Sequence, residues 1–271
     1  MAKKRHLFWF ISGCGTLLLS ALLLLSGCYK ENLAPYTYPE KAVVIKEILL
    51  DCQQSQLSKQ AFFWNQIMGF ELVASSATGF SVMVGNSKLT FRKGQTGYGG
   101  IYNFTLDVPE NQIESVRLWV LKRSGIVPNA ETNAEIQHKS KLNAHSLYFR
   151  DPVGNLIECI ARHDLANARE GEFDQTMFTG ISNVSVVTRN VKDCGDTLYK
   201  YFQYAGVDGT SNSVKLVGGN SGTLTLHIPT RPFFPTEDIV AFPYRIEIVI
   251  SNPSNQAFKL PGTETFIRSE P

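Results

Sequence analysis

Outside the N-terminal leader, His138, His145, His163 and His227 are the side chains best suited to moving protons near neutral pH. His138 and His145 lie in or beside a lysine-bearing loop, Gln137 to Asn143, that enters a strand. If that loop caps a cavity, His145 is placed to touch a substrate; otherwise it faces solvent. His227, in an apolar strand, is a structural residue. Asp51 and Asp107 sit at equivalent points of two similar segments, where they ring a cavity mouth or end their strands as turn formers. Of five cysteines, Cys14 lies in the leader and Cys28 at its end. Cys52, Cys159 and Cys194 remain, an odd set at irregular spacing with no C-x-x-C pair, so buried free thiols are expected, with a Cys52–Cys159 bridge as the alternative. Gly97, Gly99 and Gly100 form a linker, since no strand-to-helix phosphate loop surrounds them.

The elements that must position these groups repeat along the chain. Four segments alternate with period two: 47–52, 103–108, 183–188 and 245–250. The first three precede candidate helices, Ser58 to Met68, Glu110 to Arg123 and Val191 to Ala205. In the second of these Ile113, Val116 and Val120 fall at helical spacing behind Glu110 in the first turn. Short strands then follow in each unit: 71–74, 80–84 and 88–93; 146–149 and 156–161; 214–217 and 223–228. The unit is therefore strand, helix, three strands. Trp64 and Trp119 fall on the helices among apolar neighbours and belong to the core. Few residues follow Arg245, so the fourth unit is expected to be incomplete and to lack its last strands. A polar connector separates the second unit from the third. The expected division is a complete two-unit domain at 42–163, a connector at 164–179 and a truncated second domain at 180–271.

Two stretches carry a resemblance. Ser146-Leu-Tyr-Phe-Arg-Asp-Pro-Val-Gly-Asn-Leu-Ile-Glu158 resembles the signature closing the second unit of vicinal oxygen chelate proteins, the superfamily of glyoxalases, bleomycin resistance proteins and ring-cleavage dioxygenases. Phe62-Phe-Trp-Asn-Gln-Ile-Met-Gly-Phe70 is similar to their first helix and its exit. The likeness covers residues 43 to 162 well and 178 to 230 weakly. It implies an α+β fold of paired βαβββ modules whose sheets curve around a cavity. It also implies that first and last strands supply ligands to a divalent ion, which chelates a substrate with adjacent oxygens. The corresponding positions here are Glu47, Asn103 and Glu158, with Thr90 as a weak fourth. Asn103 stands where a histidine is usual, and an amide oxygen suits Mg, Mn or Ca better than Zn or Fe. The alternative is that Glu47 and Glu158 are polar cavity residues with no metal. Asn183 and Arg245 take the opening positions of the third and fourth units, where no metal is expected. His163, five residues past Glu158, falls on the opposite strand face and points away from that site.

The N-terminus begins with Lys3, Lys4 and Arg5, followed by an apolar run from Leu7 to Leu25 ending at Ser26-Gly27-Cys28. That is a secretory signal layout, with an uncleaved transmembrane anchor as the alternative. Leu25-Ser26-Gly27-Cys28 resembles a bacterial lipobox, which implies signal residues 1–27, lipid on Cys28 and a tether at 28–41. The net charge of +2 includes the leader's cations, so the body is near neutral and offers no basic patch for nucleic acid. The expected function is a membrane-anchored lipoprotein of the cell envelope, on the periplasmic or outer-surface side. It binds a small ligand with no or weakened catalysis, or docks another envelope protein. The alternative is a divalent-metal-dependent lyase, isomerase or dioxygenase-like enzyme with Glu158 as the catalytic carboxylate and His145 and Asp107 near substrate.

Overall fold

The computed structural model describes residues 42–94, 100–208, 212–219 and 221–271. The first unit is β1 (Ile45–Cys52), α1 (Leu57–Phe62, continued by a π-helical turn, Phe63–Ile67), β2 (Leu72–Ser76), β3 (Gly79–Val84) and β4 (Ser87–Lys93). The second is β5 (Asn103–Val108), α2 (Ile113–Leu121), β6 (Gln137–Lys139), β7 (Ala144–Arg150) and β8 (Leu156–Arg162). The third is β9 (Gly180–Val187), α3 (Val191–Phe202), β10 (Gly206–Asp208), β11 (Val214–Gly219) and β12 (Gly222–His227). The fourth is reduced to β13 (Ile246–Ser251), β14 (Ala257–Lys259) and β15 (Thr265–Glu270).

Local chemistry explains these elements. Leu57, Gln60, Phe63 and Trp64 bury one face of the first helix. Its last turn widens, with Met68 N–H bonded to Phe63 C=O at 2.8 Å. Gly69, at φ +82°, then turns the chain out of the helix, in a backbone region that costs glycine little. Asn190 caps α3 by accepting the Asp193 N–H at 3.0 Å, and Gln203 ends it in a left-handed conformation. In β1, Ile48 and Leu50 are buried, while Glu47 and Leu49 of the other face are half-buried. Trp64 joins the layers: its ring lies 6.1 Å from Phe91 of β4, 6.1 Å from Phe104 of β5 and 6.5 Å from Phe149 of β7.

Within each unit the first strand runs parallel to the last, as in β1–β4, β5–β8, β9–β12 and β13–β15. Units then join through their first strands. β1 pairs antiparallel with β13, with Ile48 opposite Ile248, and β5 pairs antiparallel with β9, with Thr105 opposite Asn183. The result is a seven-stranded sheet, β14-β15-β13-β1-β4-β3-β2, and an eight-stranded sheet, β10-β11-β12-β9-β5-β8-β7-β6.

This corrects the expected division into a domain at 42–163 and another at 180–271, because unit one shares a sheet with unit four and unit two with unit three. The connector explains the difference. Phe173 and Phe178 are buried in it and pack edge-on against Trp119 of α2 at 5.7 and 5.5 Å, while Phe178 also meets Phe70 at 5.2 Å. Its C-terminal end returns directly into the sheets, where Ser87 Oγ of β4 accepts from Ile181 N–H and donates to Ile45 C=O. The fourth unit is also more complete than its length implied. Its last strand, β15, is present, and the shortening falls on the helix and one outer strand.

A chain ending at residue 163 would strip β1 and β5 of their antiparallel partners and expose the apolar face under Phe178. A fragment of residues 42–163 is therefore expected to lack a cooperative urea transition, and a two-state transition with an m-value proper to its length would contradict the pairing's importance.

Candidate functional site

The concave face of the eight-stranded sheet holds a cavity of about 440 Å³. Because side chains alternate along strands, β5 presents Asn103 and Thr105, β8 Glu158, Ile160 and Arg162, β9 Asn183 and Ser185, and β12 Thr223, Thr225 and His227. Glu158 is at the centre and is only 8% exposed. Its Oε2 accepts from Thr105 Oγ1 at 2.8 Å, and its Oε1 accepts from Tyr148 Oη at 2.5 Å and pairs with Lys139 Nζ at 3.3 Å. Lys139 also donates to Tyr148 Oη at 2.7 Å. Burial alone would raise the Glu158 pKa. The Lys139 charge, with the Tyr148 and Thr105 hydroxyls, outweighs it and holds the carboxyl below its ordinary value. The same burial, with Glu158 alongside, pushes the Tyr148 phenol well above its usual value.

From Thr105 the polar row continues across the sheet. Asn183 Nδ2 donates to Thr105 Oγ1 at 3.4 Å, and Asn183 Oδ1 accepts from Thr223 at 3.1 Å and from Thr225 at 2.9 Å. Asn103 turns its amide to Leu156 C=O at 3.1 Å and accepts from Ser185 at 2.7 Å. Asp107 is buried, with its carboxylate bonded to Arg162 Nε at 3.2 Å and Ser182 Oγ at 2.7 Å. Burial dominates there and raises its pKa.

The structure brings Asn103 and Glu158 into one cavity but leaves Glu47 in the other sheet, because β1 pairs with β13 while β5 pairs with β9. The expected set Glu47, Asn103 and Glu158 is therefore divided. Glu47 does meet Thr90, whose Oγ1 donates to it at 2.7 Å, and Lys88 lies 2.9 Å from its other oxygen. Asp107 is not a turn former, and neither is Asp51, which pairs with Arg92 at 2.7 Å. His145 lies on the outer face of β7, where it stacks on His138 at 4.9 Å and its Nδ1 lies 2.7 Å from His163 Nε2. It does not line the cavity. Cys52, Cys159 and Cys194 are free and buried. Gly97, Gly99 and Cys28 lie outside the described residues.

Two side chains at the centre of the cavity escaped the sequence. Tyr148 could have been found, since period two along Ser146-Leu-Tyr-Phe puts Ser146 and Tyr148 on one face. Lys139 could not: it enters on β6, whose three residues carry no periodic signal.

The donor set fits a divalent ion poorly. The inner positions are one carboxylate, Glu158, with Thr105, Asn183 and Thr225, and that carboxylate already faces an ammonium at 3.3 Å. Hydroxyls and an amide add no negative charge to offset a dication beside Lys139. Among the described residues no group of three or more His, Cys, Asp or Glu is arranged to hold a metal.

His227 reports on the cavity's far end. It is 7% exposed, its ring meets Phe233 edge-on at 5.3 Å, and its Nδ1 has no partner among the described residues. Burial, with Arg231 nearby, lowers its pKa to about 4. Between the unfolded value near 6.5 and about 4 the unfolded chain binds a proton that the folded chain refuses, so stability falls as pH falls through that window. The expected loss is roughly 3 kcal/mol from this group. His145, also lowered by burial and by His163 and His138, acts with the same sign. Urea titrations of His227→Gln against the parent should show a flatter pH dependence between those limits, and superimposable profiles would refute the assignment.

Comparison with solved structures supports the fold. The chain is similar to a dioxygenase-like protein of Bacillus subtilis, with TM-score 0.56 and 14% identity over 86% of this chain and 87% of that one. Glyoxalase I from Zea mays aligns with TM-score 0.47 and 10% identity over 84% of this chain and 93% of that one. No protein-family model and no curated protein matches the sequence. The first likeness shows the architecture: an α+β fold of paired βαβββ modules, as in vicinal oxygen chelate proteins.

Proposed function

We propose that this chain is a lipid-anchored protein of the cell envelope that binds a small ligand in the cavity of its eight-stranded sheet without using a metal ion. One observation carries the reading: among the described residues the one carboxylate at the centre of that cavity, Glu158, is neutralised by Lys139 and hydrogen-bonded by Tyr148 and Thr105. An ion would have to displace an ammonium and two hydroxyls from a buried carboxylate. What replaced them would be one charged ligand and three neutral ones.

The cavity otherwise suits a ligand. Its size falls in the range that holds small molecules, and it mixes apolar surface from Ile160, Leu216 and Phe234 with convergent polar groups. The anchor rests on the leader and on Leu25-Ser26-Gly27-Cys28, a sequence with the spacing of a lipid-modified cysteine behind an export signal. Among the described residues no helix is long and apolar enough to cross a membrane.

Two measurements test the two halves. Full-length protein equilibrated in turn with Mg, Mn, Zn and Fe(II), then dialysed, is expected to hold well under one ion per chain. One ion per chain that vanishes in Glu158→Gln would overturn the metal-free reading and favour a metal-dependent enzyme. Cys28→Ser is expected to leave an unprocessed precursor or free the body from membranes. A lipid-free product cleaved at the normal position in the unsubstituted protein would overturn the anchor.

A further inference from the structure

We propose that His138, His145 and His163 form a pH-sensitive latch on the outer face of the eight-stranded sheet: once these rings gain protons, β6 parts from β7 and carries Lys139 out of the cavity. This rests on the reading of the cavity as a binding site and adds its regulation.

The strand register gathers the three rings. His138 of β6 lies directly opposite His145 of β7, and His145 opposite Ala161 of β8. His163, two residues past Ala161, keeps to the same face, and its N–H extends the ladder to Asn143 C=O at 2.9 Å. The His138 and His145 rings stack with centres 4.9 Å apart, and His145 Nδ1 lies 2.7 Å from His163 Nε2. In that bond one neutral ring donates to the other. Two charged rings each present an N–H there, and the bond is lost. Positive rings stacked face to face also repel.

The charges around the cluster do little to offset this. From α2 Glu114 faces His145, but it is held by Arg117 at 3.1 Å, which also binds Glu135 at 3.0 Å. In the neighbouring turns Asp164 accepts from Asn143 Nδ2 at 2.5 Å, and Lys141 pairs with Asp208 at 2.7 Å. Burial of His145, with His163 and His138 beside it, outweighs Glu114 and lowers its pKa. The closed arrangement therefore takes up protons less readily than an open one. Its stability is complete above the ordinary imidazole value of about 6.5 and is lost as pH falls below it.

β6 is the element that can give way. It is three residues long and ends its sheet, so among the described residues it has a strand partner on one side only. His138 opposite His145 is the middle of its three pairs with β7. Its remaining ties are Gln137, bonded to Asn129 at 3.2 Å and to Ala134 C=O at 2.6 Å, and Lys139. The Lys139 ammonium bonds Tyr148, pairs with Glu158 and stands 4.3 Å from the centre of the Phe234 ring. Because neighbouring side chains on a strand take opposite faces, a force on His138 outside acts on Lys139 inside, one residue away. Short edge elements open locally at far less cost than the whole fold. Opening leaves Glu158 without its counter-charge and the Phe234 ring without its cation.

The test follows amide hydrogen exchange of the full-length protein in detergent micelles by mass spectrometry, between about pH 7.5 and about pH 5, with times corrected for the intrinsic rate. β6 is expected to lose at least tenfold of its protection across that range while β5 and β8 keep theirs. His227 acts on the whole fold, so the difference between β6 and β5 is the quantity read. His145→Gln should abolish the loss, and His138→Gln, a change at an exposed position, should move its midpoint to lower pH. If His145→Gln leaves β6 unprotected throughout, His138→Gln decides. Lys139→Met should move the midpoint to higher pH, since the ion pair it removes opposes opening; Phe234→Leu should act in the same direction and decides if the Lys139 variant fails to fold. Protection of β6 that does not change with pH, a loss that persists unaltered in the histidine variants, or a loss shared equally by β5 and β8 would overturn the latch. A midpoint unmoved by Lys139→Met and Phe234→Leu would overturn its connection to the cavity. The metal-free reading of the cavity falls on a separate result, the Glu158-dependent ion described above.

Discussion

A carboxylate taken out of water must be met by charge and by hydrogen bonds, and the cavity is arranged around that requirement at Glu158. Isolated burial of such a group costs several kcal/mol, enough to consume much of a domain's roughly 5–15 kcal/mol of net stability. Lys139, Tyr148 and Thr105 remove the cost together, and each comes from a different strand. This accounts for β6, a three-residue edge strand that would contribute little by itself but holds Lys139 in register opposite Ala144. It also accounts for the continuous polar row through Thr105, Asn183, Thr223 and Thr225, in which each hydroxyl or amide is oriented by its neighbour.

The same solution recurs in the other sheet. Glu47 is met by Lys88 and Thr90, and Asp51 by Arg92, which also bonds Glu247. Asp51–Arg92 and Asp107–Arg162 occupy equivalent places in units one and two, each joining the end of a first strand to the end of the last. Acidic groups on these inner faces are thus balanced by cations from the chain itself. In a fold whose resemblance implies acidic side chains gathered about an ion, the internal cations change what the same strand positions can do.

How much of this was legible follows from the range of each interaction. Alternation in 47–52 or 103–108 is local, and it marked β1, β5, β9 and β13 and the face on which Glu158 lies. Helix positions were equally local: α2 and α3 fall inside their expected spans, and α1 begins one residue before its own. The partner of each first strand was not legible, because all four carry the same alternation and any antiparallel pairing among them buries the same faces. Phe173 and Phe178 were the available signal: two large apolar residues in a segment otherwise polar enough to pass for a linker. Missing them divided the chain at the connector and grouped Glu47 with Asn103 and Glu158. His145 misled for another reason. Its neighbourhood was placed correctly, but β7 turns it outward toward His138 and His163 while sending Tyr148 inward.

The cavity's walls are held by two contacts of unequal strength. Lys141 and Asp208 span from the turn after β6 to β10, the two edges of the eight-stranded sheet, but Lys141 is mostly exposed. A pair of that kind contributes about 0–1 kcal/mol and is screened by salt. On the other side the segment between β12 and β13 is fastened by several means. Phe233, Ile239 and Ala241 are buried with Tyr148, Leu156 and Val187, Pro235 C=O accepts from Ala130 N–H at 3.1 Å, and Asp238 takes both oxygens to Arg150 at 2.9 Å. Burial of one large apolar side chain there outweighs the exposed ion pair, since it is worth about 1.5–3 kcal/mol. The shape of the pocket therefore depends on the apolar strap, which also carries Phe234 to Lys139. The aromatic wall and the cation are fixed by the same packed segment, so the strap and the counter-charge of Glu158 form one construction.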